Sequence, residues 1–175
     1  GVAGIAVGFG AQSLVKDYFT GFVMLIENQI RQGDIVEIGN KSGTVEEVTL
    51  RYVRLRDYEG AVHYIPNSYI NLVTNKSRTF AYAVVDIGVS YKENLNHVYS
   101  TIKLVSQKLR QDPQYSHMIL EDTEIAGVDQ LGDFAVMIKS RTKVVAQEQN
   151  TIRRALLGEI KIAFDQAGIE IPSPD

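Results

Sequence analysis

The sequence predicts three segments of different fold: a long apolar helix, a small all-β barrel and an α+β domain. Apolar residues recur at helical spacing through residues 2–28, where no proline or cluster of turn-forming residues interrupts them. Short alternating strands joined by tight turns then fill residues 34–67, which is typical of a small barrel. From residue 80 the elements follow the order β-α-β-β-α-β of the split-βαβ, ferredoxin-like unit. The predicted domains are residues 1–28, 29–79 and 80–175.

Composition indicates a folded protein without a strong charge or a thiol-based site. Of the 175 residues, 45% are hydrophobic and 22% are charged, which excludes wholesale disorder. The formal net charge of −3 provides no global basic field for nucleic acid. Because cysteine is absent, a disulfide scaffold, a thiol nucleophile and a thiolate metal site are excluded.

The first helix is apolar but short of a complete membrane span. Residues 1–15 carry no charge, Lys16 and Asp17 follow, and apolar character then resumes through Ile26. A bilayer requires roughly 18 to 20 apolar residues. This stretch alone therefore supports either a truncated membrane helix or a buried helix.

The remaining elements are predicted from the change of hydrophobic period. In the barrel we expect strands at 34–39, 44–58 (one strand, or two joined by a bend) and 61–67, with turns at 40–43 and 58–60. In the α+β domain we expect a strand at 80–91, a helix at 93–111, a hairpin of 123–130 and 133–144 around Leu131–Gly132, a helix at 147–168 that stops at Gly168, and a terminal strand at 169–172. The inward residues of the two helices are predicted to be Leu95, Val98, Ile102, Val105 and Leu109, and Ile152, Leu156, Ile160 and Phe164.

The opening stretch GVAGIAVGFGAQ contains more glycine than a helix normally tolerates, since each interior glycine costs about 1 kcal/mol relative to alanine. It could be a phosphate-cradling turn, a closely packed helix face or a flexible leader. Residues 7–13 approach the Gly-x-Gly-x-x-Gly pattern, but Ser13 stands at the last glycine and no βαβ unit follows. The helix face is therefore favoured.

Small residues on this helix have the spacing of close helix packing. Gly1, Gly4 and Gly8 lie on one face, and Gly4-x-x-x-Gly8 is the spacing that allows helix backbones to approach in lipid. Ala6 adds a small side chain on a neighbouring face.

Two bulky residues lie between these small ones. Ile5 and Phe9, at i and i+4, project together from another face. This arrangement fits a symmetric ring whose bulky stripe lines the axis, although spacing alone equally allows plain lipid-facing or core-facing side chains.

Other candidate sites have simpler explanations. The basic cluster RYVRLR (51–56) could bind single-stranded nucleic acid, but acidic residues flank it and a solvated strand face is the simpler interpretation. The acidic turn EDTE (121–124) indicates a solvated loop more readily than a calcium site. The histidines His63, His97 and His117 show neither metal spacing nor a carboxylate partner pattern. We therefore expect no enzyme activity, no metal and no cofactor.

Four stretches together resemble the small-conductance mechanosensitive channel family, and the likeness covers essentially the whole chain. They are AGIAVGFGAQSLVKDYFTGF (3–22), IRQGDIVEIG (30–39), GTVEEVTLRYVRLRDYEGAVHYIPNS (43–68) and FDQAGIEIPSPD (164–175). The most specific parts are the Gly/Ala-rich helix leading into Gln-Gly-Asp, the Gly-Thr-Val…Arg…Arg strand pair and Ile65-Pro66-Asn67.

The resemblance implies a fragment of a homo-heptameric channel that opens under membrane tension and releases ions and small osmolytes on hypo-osmotic shock. Residues 1–28 would be the pore-lining helix, followed by an SH3/Sm-like β-domain and a cytoplasmic α/β domain. The implied partners are membrane lipid, six further copies and the permeating solutes, without nucleic acid. The implied location is the inner membrane, as a multi-pass protein with the residues after about 28 in the cytoplasm.

The resemblance also implies roles for individual residues. Ile5 and Phe9 fall at the two apolar rings that gate by dewetting. Gly1, Gly4, Ala6 and Gly8 fall on packing faces, and Gln12, Ser13 and Gly21 at the hinge positions. The chain departs from the family pattern in having Phe9 in place of the usual leucine and Ser13 in place of a frequent bend glycine.

A rival interpretation from another class is a soluble, oligomeric binding module with a nucleic-acid-binding barrel. Detergent dependence of the chain with residues 1–28 present separates the two interpretations.

Overall fold

The computed structural model describes residues 1–173 and divides the chain into two compact units, Gly1–Arg78 and Thr79–Asp175. The first unit contains one long helix and a five-stranded sheet. Its elements are α1 (Val2–Glu27), β1 (Ile35–Ile38), β2 (Lys41–Val48), β3 (Tyr52–Arg56), β4 (Val62–Pro66), a 3₁₀ turn (Asn67–Tyr69) and β5 (Val73–Asn75). The sheet order is β4-β3-β2-β1-β5, and every neighbouring pair is antiparallel.

Apolar residues at alternate positions of the strands form the hydrophobic core of the first unit. One face of the sheet buries Val36 and Ile38 of β1, Val45 of β2, and Val53 and Leu55 of β3. Met24 of α1 and Ile30 of the following loop complete this core. The helix therefore shares a hydrophobic core with the sheet only through its C-terminal third.

The strand predictions for this unit are largely confirmed, with two differences. The first turn is the two residues Gly39–Asn40, so residues 41–43 belong to β2 and pair with β1. Gly39 adopts a φ of +61°, which glycine allows at no steric cost and which makes the tight turn possible. The 3₁₀ turn and the three-residue β5 were not predicted. Residues 44–58 form two strands, which is one of the two alternatives that the sequence left open.

The second unit packs two helices on one face of an antiparallel sheet. Its elements are β6 (Phe80–Val89), α2 (Leu95–Gln111), a 3₁₀ turn (Ser116–Met118), β7 (Glu124–Leu131), β8 (Val136–Val145) and α3 (Gln149–Ala167). The sheet order is β6-β8-β7. The predicted inward residues of α2 and α3 are buried, apart from the half-buried Leu95, and contact alternate residues of β6 and β8.

Local capping explains where the helices of the second unit begin and end. The Asn94 side chain accepts a hydrogen bond from the His97 N–H at 3.1 Å, which satisfies a free donor at the start of α2. Gly168, with a φ of +72°, ends α3 in the left-handed conformation, as predicted.

The predicted terminal strand at 169–172 is wrong, because these residues form no strand in the structure. The Ile169 N–H donates to the Phe164 carbonyl at 2.9 Å, and the Ser90 N–H donates to the Glu170 carbonyl at 3.1 Å. The segment is thus tied to the end of α3 and to the residue after β6. Pro172 lacks the N–H that a continued ladder would need. Asp175, the last residue of the quoted family stretch, lies outside the described residues.

Candidate functional site

The candidate site is α1 and its attachment to the sheet of the first unit. The helix is uninterrupted from Val2 to Glu27 and ends at Asn28, whose φ of 59° is left-handed. Most of its large apolar side chains are exposed within the chain, including Ile5 at 63% and Phe9 at 73%. Within residues 1–173, no helix combines the length and the apolar character needed to cross a membrane.

The two predicted gate residues occupy one free face of α1. Ile5 and Phe9 are four residues apart, so their side chains lie one above the other. Neither contributes to a hydrophobic core of the described chain. Any contact that these side chains make for function must therefore come from outside the described residues.

The predicted packing residues also face open space. A Cβ atom built on Gly1, Gly4 or Gly8 would meet nothing within 4 Å, and Ala6 is exposed. The chain by itself does not require glycine at these three positions. Their packing role stays a prediction that needs a neighbouring helix.

The three predicted hinge residues have different surroundings. Gln12 and Ser13 are exposed within continuous helix. Gly21 is buried, and a Cβ atom there would overlap the Leu50 carbonyl oxygen and the Asn67 side-chain nitrogen. Gly21 is thus the position at which the backbone of α1 approaches the sheet most closely.

The contact that Asp17 makes with the sheet was not predicted from the sequence. Asp17 is 5% exposed, and its Oδ1 accepts a hydrogen bond from the Ser68 backbone N–H at 2.5 Å. Asp17, Gly21 and Met24 are spaced i, i+4 and i+7, so one face of α1 is docked on the sheet. A buried carboxylate that accepts a backbone N–H makes a strong, oriented contact.

Asn67, in the predicted Ile-Pro-Asn motif, organises the surface that receives the helix. It is fully buried, and its Nδ2 donates to the carbonyls of Thr49 at 3.1 Å and Leu50 at 2.8 Å. Its backbone N–H donates to the Arg51 carbonyl at 2.8 Å. These bonds join the β2–β3 turn to the 3₁₀ turn that carries Ser68. Among residues 1–173, the Asn67 Oδ1 has no hydrogen-bond partner.

A second anchor holds the C-terminal end of α1. Arg78 donates from Nη2 to the carbonyls of Asn28 at 2.5 Å and Gln29 at 3.1 Å. The Asn75 side chain of β5 also donates to the Gln29 carbonyl, at 3.0 Å. Carbonyls at a helix C-terminus carry partial negative charge, so a guanidinium is well placed there.

The basic cluster of β3 is paired with acidic residues of β2. Arg54 lies 2.9 Å from Glu47, and Arg56 lies 2.9 Å from Glu46. This arrangement fits the interpretation as a solvated strand face and does not favour a nucleic-acid surface.

One histidine differs from the sequence-based expectation. His63 does have a carboxylate partner, because its Nε2 lies 2.8 Å from Asp57 Oδ2. The hydrogen bond from His63 lowers the pKa of the Asp57 carboxyl. Desolvation opposes this shift, and the backbone N–H groups of Ala61 and Glu59 lower the pKa further. Asp57 is thereby the organising residue of the β3–β4 turn. No cluster of three metal-binding side chains occurs among the described residues.

The two units correspond to two successive family domains. Residues 13–78 match the family described as mechanosensitive ion channel, beta-domain, and residues 83–171 match the family described as mechanosensitive ion channel MscS, C-terminal. The chain belongs to the MscS family of mechanosensitive ion channels.

Curated relatives cover nearly all of this chain. It is 31% identical over 174 residues to the small-conductance mechanosensitive channel of Caldanaerobacter subterraneus subsp. tengcongensis, covering 99% of this chain and 61% of the relative. It is 33% identical over 172 residues to the moderate conductance mechanosensitive channel YbiO of Escherichia coli, covering 98% of this chain and 23% of that protein. The chain therefore spans less than two thirds of the length of either relative.

Solved structures agree with the fold. The closed-state crystal structure of Helicobacter pylori MscS has a TM-score of 0.81 and 26% sequence identity, covering 100% of this chain and 68% of that chain. Arabidopsis thaliana MSL1 shares the fold with a TM-score of 0.67 at 18% identity, covering 100% of this chain and 64% of that chain.

Proposed function

We propose that this chain supplies the pore helix and cytoplasmic part of a mechanosensitive channel opened by membrane tension. The observation that carries the proposal is that α1 is docked on the sheet along one face and leaves its other faces apolar and exposed. Exposed apolar surface on this scale requires a partner such as lipid or further protein chains. Membership of the MscS family makes a ring of identical chains within a membrane the natural partner.

The proposed assembly is a homo-heptamer with α1 around the axis. We assign residues 1–28 to the pore-lining helix, 29–79 to the β-domain and 80–175 to the cytoplasmic α/β domain. The five-stranded antiparallel sheet supports an SH3/Sm-like barrel. The β6-β8-β7 order with two helices on one face supports a ferredoxin-like unit, although its fourth strand is absent from the described residues.

The proposed gate consists of two rings of apolar side chains. Seven copies each of Ile5 and Phe9 would form a constriction too apolar to hold water, and a dewetted constriction blocks ions. Tension favours the state of larger in-plane area, so separation of the helices would hydrate the constriction. The open space around Gly1, Gly4, Ala6 and Gly8 is available for neighbouring helices.

The proposed hinge positions are Gln12, Ser13 and Gly21. The helix α1 is continuous through Gln12 and Ser13, and we propose that it bends there when the channel changes state. We place the protein in the inner membrane as a multi-pass protein, with residues after about 28 in the cytoplasm. Its partners are membrane lipid, identical chains, and the permeating ions and small solutes.

Single-channel recording of the full-length protein in liposomes under suction tests this proposal. Phe9→Ser places a hydroxyl in the constriction, and we expect the channel to open at lower tension than the unsubstituted channel. Phe134→Ser is the matched control, because Phe134 is also an exposed phenylalanine, at 59%, but lies in the β7–β8 turn. Absence of tension-activated current would contradict the channel, and an unchanged threshold in Phe9→Ser would contradict Phe9 as its gate.

A further inference from the structure

We infer that Lys16 forms a ring of positive charge below the constriction and gives the pore a preference for anions. The inference rests on the proposed function, since it requires α1 to line a pore. Lys16 carries the first charge along α1 after the gate residues, and it is exposed. The deciding question is whether its side chain faces the axis.

The helical positions place Lys16 on the face of the proposed gate. Ile5, Phe9, Gln12 and Lys16 are spaced i, i+4, i+7 and i+11, and they fall within an arc of about 60° at 100° per residue. Lys16 is seven residues beyond Phe9, about 10 Å along the axis at 1.5 Å per residue. The helix is continuous through these four positions, so they follow helical spacing in the structure.

The neighbouring acidic residue does not share that face. Asp17 lies about 100° around the helix from Lys16. It is 5% exposed and is held by the Ser68 N–H on the docked side of α1. The docking therefore removes the negative charge from the free face and leaves the positive charge on it. Lys16 is exposed, and it makes no ion pair within residues 1–173.

One further charge lies on the same face, at the far end of the helix. Glu27 is eleven residues beyond Lys16, about 16 Å along the axis. Its carboxylate accepts a hydrogen bond from the Gln29 side chain. Ionic screening in about 0.1 M salt has a length of about 10 Å. The electrostatic field near the constriction is therefore set mainly by Lys16, and Glu27 acts near the C-terminal end of α1.

The size of the effect follows from simple electrostatics. One unit charge about 10 Å from an ion in water changes its energy by about 0.4 kcal/mol, which is about a twofold change in local concentration. A ring of such charges acts on every permeating ion, so we expect the chloride-to-potassium permeability ratio to change at least about twofold when Lys16 is neutralised.

The test is the reversal potential of tension-activated currents in asymmetric KCl, recorded from the full-length protein in liposomes. Lys16→Gln should lower the chloride-to-potassium permeability ratio at least about twofold, Lys16→Glu should lower it further, and Lys16→Arg should retain it. Lys103→Gln is the matched control, since Lys103 is an exposed lysine of α2 and its loss should leave the ratio unchanged. Glu27→Gln should raise the ratio by a smaller factor than Lys16→Gln lowers it.

The outcomes separate this inference from the proposed function. The inference is overturned if the chloride-to-potassium permeability ratio is the same in the unsubstituted channel, Lys16→Gln and Lys16→Glu. The proposed channel function is not contradicted by that result. A larger effect of Glu27→Gln than of Lys16→Gln would also overturn it. If the unsubstituted protein gives no tension-activated current, the proposed function fails and the inference fails with it.

Discussion

Replacement of Gly21 by alanine should weaken the docking of α1 on the sheet. A Cβ atom at this position would overlap the Leu50 carbonyl oxygen and the Asn67 side-chain nitrogen. These two groups are bonded to each other, with Asn67 Nδ2 donating to Leu50 at 2.8 Å, so neither can move aside alone. The overlap must be relieved by displacing the helix.

The change in the docking free energy of α1 follows from two opposing effects. Overpacking of a well-packed contact costs about 1–3 kcal/mol. Alanine is also a better helix former than glycine by about 1 kcal/mol. The matched control is Gly10→Ala on the same helix, because a Cβ atom at Gly10 meets nothing within 4 Å and only the helix-propensity gain remains. The docking free energies of the two variants should therefore differ by about 1–3 kcal/mol.

Hydrogen exchange of the full-length protein in detergent measures this difference. The Ser68 N–H donates to Asp17, so lifting of the helix from the sheet breaks this bond and allows exchange. A difference of about 1–3 kcal/mol corresponds to about 5- to 150-fold faster exchange at Ser68 in Gly21→Ala than in Gly10→Ala. Ile138 of the buried β8 should exchange equally in both variants and serves as the internal standard. Equal exchange at Ser68 in the two variants would refute the argument that close approach requires glycine at position 21.

Three further changes test other contacts. Asp17→Ala leaves the half-buried Ser68 N–H without its acceptor and should cost about 1–3 kcal/mol in thermal or denaturant unfolding, whereas Asp17→Asn keeps an acceptor oxygen and should cost less. The pKa of Asp57 is lowered in the folded state, so its contribution to stability is present above the unfolded pKa of about 3.9 and is lost as the pH falls through the folded-state pKa. Thermal unfolding followed from about pH 5 downward should therefore show a smaller acid-induced decrease in Asp57→Asn than in the unsubstituted protein, and parallel curves would contradict the role of this carboxylate. Phe164→Ala should destabilise the second unit by about 3–5 kcal/mol, since Phe164 is fully buried, whereas Ile162→Ala on the exposed side of α3 should cost much less; similar losses would contradict the packing described for α3.

The sequence predicted the long elements well because their apolar residues follow one period over several turns. The helices α2 and α3 and the strands β6 and β8 are examples, and the caps Asn94 and Gly168 stand at their ends. The three-residue β5 was missed because a segment of that length has no period to detect. The strand expected at 169–172 failed because apolar alternation cannot distinguish an edge strand from a segment tied to the preceding helix.

The exposed face of α1 could be predicted from the sequence, whereas the face docked on the sheet could not. Ile5 and Phe9 follow from spacing within one helix. Asp17 depends on Ser68, which is 51 residues away, and nothing in the local pattern reveals that pairing. The sequence shows a glycine at position 21 but not why glycine is required there. The requirement comes from the Leu50 carbonyl, a backbone group that the pattern of side chains does not reveal.

The docked face and the proposed gate residues belong to one uninterrupted helix, so docking on the sheet would set the rotation of the proposed gate. Asp17 is eight residues beyond Phe9, about 12 Å along the axis, so fixing the rotation of α1 at Asp17 and Gly21 fixes the direction of the Phe9 ring. Phe9 is flanked by Gly8 and Gly10. A rotation of α1 by one residue, about 100°, would therefore replace a phenyl ring by a hydrogen atom at the axis of the proposed pore. In the proposed channel, the buried contacts of Asp17 and Gly21 would thus decide whether a bulky ring or a glycine backbone faces the axis.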